Sequence, residues 1–191
     1  EMVRSDWSSD VCSSDLGSNI GCVGQIMSTG VLSCVVNVAA AAETTVPFDP
    51  PGPAPVRKKV MVVGGGPAGL EAARTAALRG HEVHLYEATR RLGGQVAIAA
   101  TAPHRADIGA ITEWLTGEIE QFGVTIRLAT MVDPDVVAEL DPDEVIIATG
   151  GTPRTDGFQL STPVTPIPGH DLRHVHTSWD VFGFGGRATL E

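Results

Sequence analysis

The apolar positions of this chain follow two rhythms, continuous β-branched runs and helical spacing, and their alternation predicts the architecture. Lys59 to Val63, KVMVV, is a short run of the kind that forms a buried strand. Pro67 to Arg79 is Ala-rich and reads as a helix, and Glu82 to Tyr86 reads as a second strand, so the three make a β-α-β opening. Further on, Ile108, Ile111, Leu115, Ile119 and Phe122 recur at helical spacing and predict an amphipathic helix. Val124 to Leu128 alternates like a strand, and the acidic stretch Asp133 to Glu144 reads as a solvated helix with its turns. Glu144 to Ala148 reads as a buried strand, and alternating strands and helices make the fold class α/β.

Composition divides the chain before it says anything about chemistry. Residues 1–16 differ abruptly in composition from the rest of the chain: Asp6 to Leu16, DWSSDVCSSDL, resembles one reading frame of a common sequencing-library adapter, so this segment is expected to be non-native and Cys12 to carry no biology. Residues 17–46 form an irregular, Cys-bearing lead segment. Residues 47–56 are a linker in which the run PFDPPGPAP denies the backbone both ladder donors and helical turns. Residues 57–191 form the α/β body. Starting at Glu1 and stopping at Glu191 in mid-pattern, the chain is expected to be a truncated piece of a longer protein.

A net charge of −10 and a sequence pI near 4.9 argue against a nucleic-acid partner, which needs clustered Lys and Arg. Val31 to Ala42 is too short to cross a bilayer and lacks the basic flank of a signal peptide, so neither a membrane partner nor secretion is expected. Cys12, Cys22 and Cys34 are too few and too uneven for a disulfide framework, which points to a reducing, cytoplasmic setting.

The candidate chemistry sits in VMVVGGGPAGLEAARTAALRGHEVHLYE. Gly64, Gly66 and Gly69 supply the G-x-G-x-x-G spacing at the junction of the first strand with the helix that opens Pro67, Ala68, Gly69. In that role Gly64 permits the tight turn, Gly66 lets the backbone approach a pyrophosphate, and Gly69 lets the helix pack closely on the sheet. The helix start presents N–H groups and the positive end of its dipole to the phosphates. Glu87 ends the second strand about twenty residues on, where an acid bonds the ribose hydroxyls. The motif thus implies a Rossmann-like domain binding an adenine dinucleotide, and a carboxylate there repels the 2′-phosphate of NADP, leaving FAD, NAD or plain ADP.

Two further stretches, LGGQ at Leu92 to Gln95 and IIATGG at Ile146 to Gly151, resemble the second and third cofactor-facing elements of flavoproteins with two dinucleotide-binding domains. The resemblance implies FAD and adds Gly94, Gln95, Ala148, Thr149 and Gly150 to the cofactor-binding set. The lead segment, SNIGCVGQIMSTGVLSCVVNVAAAAE, resembles the iron–sulfur segment of the trimethylamine dehydrogenase and 2,4-dienoyl-CoA reductase family, of the NADH:flavin oxidoreductase type. Asn19, Cys22, Cys34, Asn37 and Glu43 fall at matching positions, but the first two ligand positions hold Asp15 and Ser18. Cys22 and Cys34 are thus a partial ligand set for a 4Fe-4S cluster, which needs four thiolates, and no stable cluster is expected. The resemblance implies that the parent relays electrons between FMN, the cluster, FAD and NAD(P)H. Its FMN barrel would precede Gly17 and its pyridine-nucleotide half would follow Glu191. No catalytic residue is expected in this chain. A structural ADP site without a redox role, or a glutamate-synthase-like or thioredoxin-reductase-like parent, are the alternatives.

Gly183, Gly185 and Ala188 repeat a G-x-G-x-x-A spacing, yet the preceding HTSWDVF is a poor buried strand and no second nucleotide site is expected there. His174 and His176 would share a face of a strand without a third ligand, and read as exposed strand histidines.

Overall fold

A computed structural model of the chain describes residues 16, 18, 20–46 and 52–182. Most of the adapter-like stretch, Asp15, Asn19, residues 47–51 of the linker and the Gly183, Gly185, Ala188 triplet lie outside the described residues. The chain divides into two compact units, Glu1–Thr149 and Gly150–Glu191.

The first unit opens with a π-helical turn, Ile20–Gly24, running into helix α1 (Gln25–Thr29). The body then runs β1 (Lys59–Val63), α2 (Pro67–Leu78), β2 (Glu82–Tyr86), α3 (Gly94–Ala99), a 3-10 turn (Ala106–Gly109), α4 (Ala110–Gln121), β3 (Thr125–Arg127), α5 (Pro134–Leu140) and β4 (Glu144–Ile147). Among the described residues, four strands form one parallel sheet in the order β3-β2-β1-β4. Strands joined through helices pair in parallel because a hairpin cannot return the chain to the same end of the sheet. The α/β, Rossmann-like expectation is met.

The core lies where α2 and α4 cover the centre of the sheet. Val60 and Val62 of β1 and Val83 and Leu85 of β2 meet Leu70 and Ala73 of α2 and Leu115 and Ile119 of α4. Leu70, Leu85 and Ile119 are fully buried, and at about 25 cal/mol per Å² such side chains each contribute about 1.5–3 kcal/mol. Arg74 of α2 ties the helices together, with its Nε 3.1 Å from Glu118 and its guanidinium 4.9 Å from the Trp114 ring centre.

Two expectations need correction. The strand read as buried at Glu144 to Ala148 is exposed along its length, with Ile147 77% accessible, because β4 is the sheet edge and, among the described residues, pairs with β1 alone. A groove of about 810 Å³, lined by Ala54, Val56, Val60, Ala76 and Ile146, runs beside it. In the LGGQ stretch, Gly94 and Gln95 start α3. His174 and His176 do not lie on a strand; they fall in turn and coil before α6 (Ser178–Val181). That helix belongs to the second unit and starts with a reciprocal cap, Thr177 Oγ1 accepting from the Asp180 amide while the Asp180 carboxylate accepts from the Thr177 amide.

Candidate nucleotide site

Parallel strands bring their carboxyl ends to one edge of the sheet, and there β1, β2 and β4 hand over to the loops that carry the motifs. Hydrogen bonds fix those loops to each other. The Gly64 amide donates to the Tyr86 carbonyl (2.8 Å), the Ala148 amide to the Val63 carbonyl (2.8 Å), and the Gly93 amide to the Gly65 carbonyl (2.8 Å). The glycine turn, the β2 exit, Ala148 after β4 and the LGGQ stretch are therefore one assembly.

Within it the glycines divide by what a side chain would meet. Gly64 has φ +110°, which other residues rarely adopt, and a Cβ there would lie 2.3 Å from the Ala148 carbonyl oxygen. A Cβ on Gly69 would lie 1.9 Å from the Gly64 carbonyl oxygen and 3.3 Å from Ala148 Cβ. Both are filled by protein, so the turn and the helix need glycine there in order to pack. Gly66 is different. Its backbone, φ −76° and ψ 177°, suits any residue, and the nearest atom to a Cβ is Gly94 Cα at 4.0 Å. No side chain caps the first turn of α2. Proline at N1 has no N–H to place, while the amides of Ala68 and Gly69 fall among the first-turn donors that have no partner within the helix. Open space beside Gly66 and an uncapped, positively polarised helix start suit a pyrophosphate.

Glu87 is half-buried at the end of β2. Its Oε2 accepts from the Gly65 amide and its Oε1 from the Thr89 amide, each at 2.7 Å. The carboxylate is thus oriented by two backbone donors and spans the glycine turn and the β2 exit. Gly94, at φ +52°, brings the start of α3 against Gly66, a Cβ there lying 3.0 Å from Gly66 Cα. Gln95 is exposed on the next position of α3, and Thr149 is exposed at the end of the first unit. Gly150, at φ +70°, opens the second unit.

Two members of this assembly carried no separate signal in the sequence. Gly65, between two motif glycines, is buried, and a Cβ on it would meet Leu92 Cδ2 at 2.5 Å and Glu87 Cβ at 3.2 Å. Thr89 reads as an ordinary loop residue and contributes through its backbone. The GGG triplet was the available hint for Gly65; for Thr89 there was none.

A family model described as pyridine nucleotide-disulphide oxidoreductase matches residues 58–178. The chain belongs to this family. Its relatives include an NADH oxidase of Thermoanaerobacter brockii, 43% identical over 87% of this chain and 24% of the relative. The N,N-dimethylglycine/sarcosine dehydrogenase of Chromohalobacter salexigens is 46% identical over 63% of this chain and 17% of its own length. Among solved structures, the 6-hydroxypseudooxynicotine amine oxidase of Pseudomonas geniculata N1 superposes with a TM-score of 0.81 at 32% identity, over 91% of this chain and 26% of that one. The resemblance to the amine-dehydrogenase type of flavoprotein oxidoreductase is borne out by these family members. The chain spans about a quarter or less of the length of the curated relatives it matches.

The lead segment places its two cysteines in adjoining stretches. Gly21, next to Cys22, accepts at its carbonyl from both the amide and the Oγ of Ser33, each at 3.0 Å. A Cβ on Gly21 would lie 3.2 Å from the Cys34 carbonyl carbon. Both thiols are half-buried and free. Asn37 Oδ1 accepts from the Ala39 amide and Glu43 Oε1 from the Ala41 amide, so both side chains shape the turn after Cys34. Among the described residues no group of three or more His, Cys, Asp or Glu is placed to hold a metal ion. Among them, too, no helix is long and apolar enough to cross a membrane.

Proposed function

We propose that this chain holds the adenosine and pyrophosphate of FAD, as the dinucleotide-binding portion of a flavoprotein oxidoreductase. The observation that carries the reading is the contrast at the motif: Gly64 and Gly69 face protein at 2.3 Å and 1.9 Å, whereas Gly66 faces open space at the start of α2. In this reading Gly66, Pro67, Ala68 and Gly69 bracket the pyrophosphate, Glu87 accepts the ribose hydroxyls, and Gly94, Gln95, Ala148, Thr149 and Gly150 line the way to the flavin. FAD, when bound, supplies hydride and single-electron chemistry, and this chain's residues supply binding and orientation.

The parent, in the same reading, passes electrons between FMN, a 4Fe-4S cluster, FAD and NAD(P)H in a reducing cytoplasm, with residues 17–46 as the remnant of the cluster segment, 47–56 as a linker and 57–191 as an incomplete dinucleotide-binding domain. Cys22 and Cys34 are two of the four thiolates a cluster requires. Titration calorimetry with FAD and ADP tests the site, and Gly66→Val is expected to weaken both by more than about tenfold, because its side chain fills the space where the pyrophosphate approaches. Native affinity in Gly66→Val would place the nucleotide elsewhere. The visible spectrum of the purified chain separates the alternatives: a flavin spectrum after desalting supports FAD, and calorimetric binding of ADP without retention of flavin supports a structural ADP site.

A further inference from the structure

We propose that Thr89 is a positioning residue for the ribose: its backbone amide, paired with that of Gly65, holds the Glu87 carboxylate in a form that recognises a vicinal diol. The inference rests on the reading of Glu87 as the ribose acceptor and adds how that acceptor is made selective. Glu87 Oε1 accepts from the Thr89 amide and Oε2 from the Gly65 amide, each at 2.7 Å. A carboxylate oxygen has two acceptor sites, so each oxygen keeps one for a hydroxyl. Two hydroxyls on adjacent carbons match that pair. A glutamate side chain otherwise loses rotamer freedom when it closes on a ligand, and here the backbone imposes that order in advance.

Thr89 is itself braced. Its Oγ1 donates to the Arg91 carbonyl at 2.8 Å, its carbonyl accepts from the Ala129 amide at 2.7 Å, and the neighbouring Glu87 carbonyl accepts from the Thr130 amide at 2.9 Å. The turn after β2 is thus anchored to the turn after β3, and the Thr89 amide is presented on a fixed support. Because both carboxylate oxygens accept an N–H, an amide cannot replace the carboxylate: glutamine would set its NH2 against one of the two donors and swing away.

The test is titration calorimetry of the full chain with ADP and with 2′,3′-dideoxy-ADP, which keeps the pyrophosphate and lacks the diol. Binding of neither nucleotide by the native chain would overturn the site assignment. Equal binding of the two would leave the site standing and overturn the inference. Given a native preference for ADP, Thr89→Pro, which deletes the amide hydrogen, is expected to weaken ADP about tenfold and dideoxy-ADP less than about twofold. Thr89→Ser and Thr89→Ala keep the amide and are expected to lose less ADP affinity than Thr89→Pro, with Thr89→Ala, which lacks the Oγ1 brace, losing more than Thr89→Ser. Equal losses for both nucleotides in Thr89→Pro, or a loss in Thr89→Ala as large as in Thr89→Pro, would show a merely structural role and overturn the proposal. Glu87→Gln carries the test alone if Thr89→Pro lacks a native circular dichroism spectrum. It is expected to lose the preference for ADP, and retention of the native preference would overturn the proposal.

Discussion

A methyl group at position 69 would have to share space with the Gly64 carbonyl oxygen at 1.9 Å, whereas one at position 66 would meet its nearest neighbour at 4.0 Å. Gly69→Ala should therefore destabilise the chain by about 3 kcal/mol or more, since neither partner is a flexible side-chain tip that can move aside. Gly66→Ala should leave the urea unfolding midpoint within the spread of replicate measurements. Both measurements belong on one pair of curves, and equal midpoints for the two variants would show that packing does not distinguish them. At this scale the sequence was informative wherever a motif fixes a residue's type: it located the three glycines and Glu87 and assigned Gly69 its packing role. It was silent on Thr89, whose contribution comes from a backbone amide that nearly any residue supplies. It was also silent on which atoms fill the space at Gly64 and Gly69, because that depends on where the chain returns at Ala148.

Elements were legible in proportion to the regularity of their patterns. β1 and β2 match the read boundaries, and the stripe from Ile108 to Phe122 spans the 3-10 turn and α4. α3 was missed because two glycines precede a short apolar run, a pattern that reads as a turn. β4 was read as buried because a continuous apolar run carries no mark of its place in the sheet; edge position is a property of topology, set among the described residues by pairing with β1 alone. The α2–α4 contact offers a test at the same scale. Arg74, 13% accessible, pairs with Glu118 and lies over Trp114, and its loss leaves the Glu118 carboxylate, 18% accessible, without that partner. Arg74→Ala should cost about 1–3 kcal/mol in urea unfolding. Arg74→Lys should recover only part of it, because an ammonium cannot reproduce the planar stacking. Full recovery by lysine would reduce the contact to simple charge attraction.

The molecule as a whole spans about a quarter or less of its relatives' length, and the proposed function gives it two expected outcomes. Anaerobic reconstitution with iron and sulfide should yield no stoichiometric 4Fe-4S absorbance, because Cys22 and Cys34 leave half the coordination shell unfilled. Asp15→Cys with Ser18→Cys should rescue it, and a strong cluster signal in the unaltered chain would contradict the assignment. Loaded with FAD and mixed anaerobically with NADH or NADPH, the chain should bleach no faster than free FAD in stopped flow, since holding the adenosine half does not set a nicotinamide against the flavin. Rapid saturable bleaching would show a hydride-transfer site within these residues. The open space beside Gly66 also bears on how such a chain drifts over generations. A variant library sorted by expression or thermal tolerance would retain alanine at 66 and discard it at 64 and 69. In a lineage that keeps the scaffold after abandoning its nucleotide, position 66 should be the first of the three glycines to wander, so the identity of that one residue records whether selection still acts on binding or only on folding.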